Sequence, residues 1–136
     1  MLGLAITGCS NVSVSTTQND PETRAYMDQV IPAIFGHWSV QALAKYGDKS
    51  IYDSQRLARA GKNFHEQSIR LGSMVSYDQV NGTTQVVKAP ENGENKAAAY
   101  DAVVHYQRGS AAVHVDAVKH KGAWSIVNAS INPLPR

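Results

Sequence analysis

An α+β fold, with helices first and an antiparallel sheet after them, is predicted by three observations. From Asp20 to about Leu71 the apolar residues recur at helical spacing, and from Ser73 onward the period switches to two. Turn signals then fall between the strand candidates, at Asn81-Gly82, Pro90 to Gly93, Arg108-Gly109 and Lys121-Gly122. Helices followed by hairpin-connected strands place the helices on one face of the sheet.

The helical half divides at its caps. Asp20-Pro21-Glu22 suits a helix start: Asp accepts from orphan N–H groups, Pro fits the first turn, and Glu suits the positive end of the dipole. Tyr26, Val30, Ile34 and Trp38 then share one stripe, with a kink or break expected at Pro32 and slack at Gly36. Ser39 caps a second short helix carrying Val40, Leu43 and Tyr46, closed by Gly47. A third helix is expected over Ser50 to Ala60, ended by Gly61, and a fourth over Asn63 to Leu71 with Phe64, Ser68 and Leu71 on its stripe.

The strand candidates are 74–80, 83–88, 96–107, 110–119 and 124–131. With Arg108-Gly109 as a two-residue turn, Gln107 pairs with Ser110 and Val104 with Val113. One face then holds Tyr100, Ala102, Val104, Tyr106, Ala111, Val113, Val115 and Ala117, all apolar or aromatic, and should pack on the helices. The other face holds Asp101, His105, His114 and Asp116, with Asp101 opposite Asp116. In the last strand Trp124 and Ile126 fall on one face and Val127, Ala129 and Ile131 on the other, so cover on both sides is expected.

A single domain over 20–136 accounts for roughly 115 residues, long enough to bury a real core. Thirteen Lys and Arg against eleven Asp and Glu give a net charge of +2, scattered along the chain, so no nucleic-acid footprint is indicated. No stretch approaches the ~20 apolar residues of a spanning helix. The lone Cys9 permits no internal disulfide.

Two carboxylates and two imidazoles on one sheet face have the chemistry for metal binding or acid–base work. In the expected register they sit too far apart, and an open sheet face with water between the charges needs no cation, so no metal and no catalysis are expected there. His37 and His120 read as surface residues. His65-Glu66 lacks the second histidine four residues on that a zinc helix requires. There is no Gly-x-Ser-x-Gly elbow and no phosphate loop, and no cofactor is implied. Tyr26, Trp38, Tyr77, Tyr100, Tyr106 and Trp124 are candidates for lining a pocket, or else for the core.

Ile6-Thr7-Gly8-Cys9 resembles the lipobox of bacterial lipoproteins, in which the preceding segment is removed and the cysteine is lipidated. The resemblance implies a truncated signal segment over 1–8, a lipid on Cys9, and a place on the periplasmic side of the cell envelope. The Ser/Thr/Asn/Gln-rich stretch that follows reads as a flexible tether over 9–19. The helical Tyr26-x3-Val30-Ile31-Pro32, Trp38-x4-Leu43, Leu71-Gly72-Ser73-Met74-Val75-Ser76-Tyr77 and Lys121-Gly122-Ala123-Trp124-Ser125-Ile126 resemble small bacterial lipoproteins with NTF2-like (cystatin-like) domains. That implies a curved sheet wrapped around a helix, with a pocket at the open end of the cone.

The expected function is a lipid-anchored periplasmic binding or accessory module without catalysis, partnered by a membrane through Cys9 and by a protein or small apolar ligand. A small-ligand protein or minor enzyme using the cone pocket is the second reading. A structural accessory of an envelope or secretion assembly is the third.

Overall fold

The computed structural model describes residues 12–89 and 93–135. The expected signal segment and Cys9 lie outside them. The described chain runs β1 (Ser13–Gln18), α1 (Pro21–Phe35), α2 (Val40–Tyr46), α3 (Ser54–Leu71), β2 (Met74–Tyr77), β3 (Asn81–Ala89), β4 (Gly93–Tyr106), β5 (Gly109–His120) and β6 (Ala123–Pro133). This is an α+β fold: three helices and a six-strand antiparallel open sheet of order β1-β3-β4-β5-β6, with β2 also paired to β4.

Local chemistry sets the helix starts. The Asp20 carboxylate accepts from the Thr23 N–H at 3.1 Å, Ser39 Oγ from Ala42 at 3.0 Å, and Asp53 from Arg56 at 2.8 Å. α1 runs through Pro32 to Phe35 without a break. α3 is one helix where two were expected, because Gly61 does not end it. A Cβ there would meet Val40 Cγ2 at 3.3 Å, so Gly61 serves the close approach of α2 and α3.

Ser13–Gln18, expected in the tether, is instead a strand. It pairs antiparallel with β3 from Ser13 opposite Lys88 to Gln18 opposite Thr83. Polar composition misleads here because a ladder needs only backbone groups, and the β-branched Val14, Thr16 and Thr17 suit a pleat. A two-way tie locks its end: the Asn19 N–H donates to the Gly82 carbonyl at 2.9 Å, and the Gly82 N–H to Asn19 Oδ1 at 3.0 Å. Asn81-Gly82 is therefore no turn. β2 and β3 lie end to end along β4, and Gly82 fits under Tyr100, where a Cβ would come within 2.6 Å of the ring.

In the β4–β5 hairpin the turn falls at Gln107-Arg108, so Tyr106 opposes Gly109, Val104 opposes Ala111 and Asp101 opposes His114. The register is two residues from the expected one. α3 sets it: the Gln107 N–H donates to Ser73 O at 3.0 Å and the Arg108 N–H to Leu71 O at 2.9 Å, while the Arg108 guanidinium reaches the Ser68 and Ile69 carbonyls. A slip of two keeps every side chain on its face. All eight expected core positions, from Tyr100 to Ala117, are accordingly buried against Met27, Val30, Ile31, Ile34 and Phe35. The β5–β6 turn, Lys121-Gly122, has φ of 51° and 81°, the left-handed pair of a type I′ hairpin turn.

β6 corrects another expectation. A bulge between Asp116 and Ala117 inserts Val127, so Ile126 opposes Ala117 while Ala129 and Ile131 oppose Val115 and Val113. Trp124, Ile126, Ala129 and Ile131 thus all pack against the one core. The other face of the sheet stays open, and Thr16, Thr83, Gln85, Ala97 and Asp101 on it are exposed. No described helix is long and apolar enough to cross a membrane.

Candidate functional site on the open sheet face

The six aromatic candidates belong to the core. Tyr100 and Tyr106 are buried. Tyr26 stacks on Trp124 with centroids 4.9 Å apart, and Trp38 on Tyr106 at 4.8 Å. Their polar tips are mostly tied down: Tyr106 donates to Phe35 O at 2.9 Å, Trp38 Nε1 to Gly72 O at 2.7 Å, and Tyr77 to Asp28 at 2.9 Å. Burial, with Tyr46 beside it, pushes the Tyr26 hydroxyl up to about 12, and burial with Asp28 does the same to Tyr77. None of the six lines either of the two hollows described next.

Those hollows lie on the open face. One, of about 360 Å³, has Ala97 and Ala99 in its floor, with Thr16, Thr83 and Gln85 on one side and Asp116, Val118 and Val127 on the other. The alanines make the depression, and the β6 bulge raises Val127 at its rim. The second, of about 370 Å³, has Val103 and Ala112 beneath it, and Asp78, Gln79, Asn81 and Asp101 around it.

Between the hollows stands His114. Its Nδ1 meets Asp101 Oδ1 at 2.8 Å and its Nε2 meets Asp116 Oδ1 at 2.9 Å, while Asp116 Oδ2 accepts from Asn128 at 3.1 Å. Both ring nitrogens face acceptors, so both must donate, and the geometry calls for an imidazolium. Burial alone would lower the His114 pKa, but the hydrogen bonds to Asp101 and Asp116 outweigh it and hold it raised. The carboxylates expected to oppose one another are thus separated by a cation. Among the described residues no three His, Cys, Asp or Glu form a metal-holding group.

His105 is partnered differently. Its Nδ1 lies 2.8 Å from Ser110 Oγ and its Nε2 3.1 Å from Asp78 Oδ1. A neutral ring satisfies both, with Ser110 donating to Nδ1 and Nε2–H to Asp78. His37 and His65 are exposed, and the exposed His120 ring hydrogen-bonds Asn95 Oδ1 at 3.1 Å.

A polar network went unread in the sequence. Lys96 and Lys119 fall on the core rows of β4 and β5, at the end where α1 starts. Lys96, whose side chain is only 9 % exposed, reaches Asp20 at 3.1 Å and Glu22 at 2.7 Å through Nζ, and Lys119 reaches Glu22 at 2.7 Å. Buried Thr23, Thr84 and Tyr100 extend it, with Thr84 Oγ1 at 3.0 Å from Thr23 and 3.2 Å from the Tyr100 hydroxyl. Burial opposes the charges here too. Hydrogen bonds still hold Lys96 above its ordinary value and Asp20 below its own, and those from Lys119 and Lys96 lower Glu22. A lysine on an otherwise apolar row was the available signal.

No family model, no curated protein and no solved structure matches this chain.

Proposed function

We propose that this protein is a non-catalytic binding or accessory module, built on an NTF2-like (cystatin-like) domain and held at the periplasmic side of a bacterial envelope by a lipid on Cys9. The observation that carries the binding role is the open face. It presents two adjoining hollows floored by small residues and rimmed by hydroxyl, amide and carboxylate groups, while the opposite face is filled by α1. The lipobox-like Ile6-Thr7-Gly8-Cys9 supports the anchor. Because β1 begins at Ser13, the lipid would hold the sheet edge within about 14 Å of the bilayer, at ~3.5 Å per residue.

Photo-crosslinking side chains at Ala97 or Val103 in cells should give a discrete adduct, and one at the exposed Arg59 of α3 should not. Equal labelling from both faces, or none from the sheet, removes the binding role. For the anchor, the chain expressed with its native upstream sequence should partition into detergent, and Cys9→Ser should release it. An intact mass retaining an unmodified Met1 in the membrane form rules the anchor out.

One observation favours a minor enzyme, on the open sheet face and not in the cone pocket of the second reading: Asp78, His105 and Ser110 stand in hydrogen-bonded line at 3.1 and 2.8 Å. The arrangement lets His105 take the Ser110 proton with Asp78 balancing the charge. Ester hydrolysis lost equally in Ser110→Ala and His105→Gln would move the protein to that class.

A further inference from the structure

The two edges of the sheet are finished differently. Along β6 the α2–α3 connection lies against the strand: Gly47 bridges Ile126, and the Asp48 N–H donates to the Ile126 carbonyl at 2.8 Å. β6 also ends in Pro133, which offers no donor. β1 pairs with β3 on one side only, and no described residue hydrogen-bonds to its backbone on the other. Natural edge strands are guarded by charge, proline or a bulge. The run from Val12 to Gln18 has no charged residue and no proline, and its register with β3 is unbroken. Val12 and Val14 are 50 % and 61 % exposed.

We propose that β1 is the seam of a homodimer, in which two copies pair β1 to β1 antiparallel and join their sheets into one. A second copy fits this edge because a charge-free strand meets itself with no like charges opposed, whereas it offers a foreign charged strand no complement. A twofold axis perpendicular to the sheet keeps each face with itself. Ser15 and Thr17 then meet core-side positions of the second copy, and Val14, Thr16 and Gln18 meet the open side, as β-branched and hydroxyl pairs that suit a ladder. The contact is isologous and closes at two. It also places the hollow bounded by Thr16 beside its counterpart across the seam. The proposal does not depend on the lipid.

Sedimentation of the full chain carrying Cys9→Ser, from micromolar to millimolar concentration, tests it. A reversible dimer is expected, weakened at least about tenfold by Val14→Lys with Thr16→Lys, which sets lysines against one another across the seam. Ser130→Lys with Asn132→Lys on β6 should leave it unchanged. A monomer over the whole range, or a dimer indifferent to the β1 lysines and broken by the β6 ones, overturns the proposal. If the β1 variant does not fold, hydrogen exchange of the unsubstituted strand decides. Protection of Ser13–Gln18 amides must rise with concentration while that of β6 amides stays constant, and concentration-independent β1 protection overturns it.

Discussion

Two polar clusters of the same chemistry sit on opposite faces of one sheet. At the start of α1, Asp20, Glu22, Lys96 and Lys119 join carboxylates to ammonium groups among buried Thr23, Thr84 and Tyr100. On the open face, Asp101, His114 and Asp116 join carboxylates to an imidazolium, with side chains 73 %, 36 % and 33 % exposed. Burial separates their roles. The first cluster holds a helix terminus to three strands through Lys96 and Asp20, whose side chains are 9 % and 15 % exposed and cannot trade their bonds for water at little cost. The second can exchange each bond for one to solvent, so its hold on the fold is slight, and its charge can change without unfolding anything.

The largest effect should therefore come from breaking the covered cluster. Lys96→Ala leaves Asp20 and Glu22 facing a lost cation and should cost about 2–3 kcal/mol in chemical denaturation. That is below the ~3–5 kcal/mol of a fully buried pair, because Glu22 is 47 % exposed and keeps Lys119. The acid side gives the sign. Asp20 and Glu22 have folded pKa values below their ordinary values of 3.8 and 4.5. Their contribution is present above those values and is lost as pH falls through the lowered folded ones. Lys96, raised above 10.5, contributes below that pH and loses its hold as pH rises through its folded value. Lys96→Ala should flatten the acid limb. A variant within ~0.5 kcal/mol of the parent would put the two clusters on one footing and end the comparison.

The next effect sets one residue of each face side by side. Val113 is 1 % exposed beneath the helices, and Asp116 stands on the open face. Val113→Ala should cost about 1–2 kcal/mol through lost burial and a cavity. Asp116→Ala should stay within ~0.5 kcal/mol, since water takes up its bonds. Equal costs, or the reverse order, in paired denaturation curves would show the open face to be covered in solution.

What the sequence made legible follows the range of each interaction. Face assignment in β4 and β5 was readable because alternation is a local property that survives a slip of two. The slip itself was not, since it is set by Arg108 and Gln107 meeting the end of α3. The caps at Asp20 and Ser39 and the Lys121-Gly122 turn were readable, being settled within four residues. β1 was not, because its side chains carry little signal and its ladder is supplied by β3. The β6 bulge hid in an apparent change of face that was a real anomaly with a different cause. At the open site Asp101, His105, His114 and Asp116 were singled out on the right face. Asp78 arrives only through the end-to-end placement of β2 and β3, and Ser110, expected on that face opposite Gln107, meets His105 only through the shifted turn.

The smallest effect tests the open cluster itself. With both ring nitrogens of His114 donating, the bridge between Asp101 and Asp116 exists only while the ring is charged. A neutral imidazole has one N–H and can keep one carboxylate. Asp116 is the better held, being less exposed and bonded to Asn128, so Nε2–H should persist and Asp101 should be released to the rim of the second hollow. The folded pKa of His114 lies above its ordinary value of 6.5. Its contribution is therefore complete below 6.5 and is lost as pH rises through the folded value. At this exposure it should amount to less than about 1 kcal/mol. Nitrogen NMR should follow Nδ1 losing its proton while Nε2 keeps it, and His114→Gln should remove the matching step from the stability profile. A ring that titrates at or below 6.5, or that becomes the Nδ1–H tautomer, would mean that the bridge does not hold in solution and that the two hollows are not divided by a charge that pH can remove.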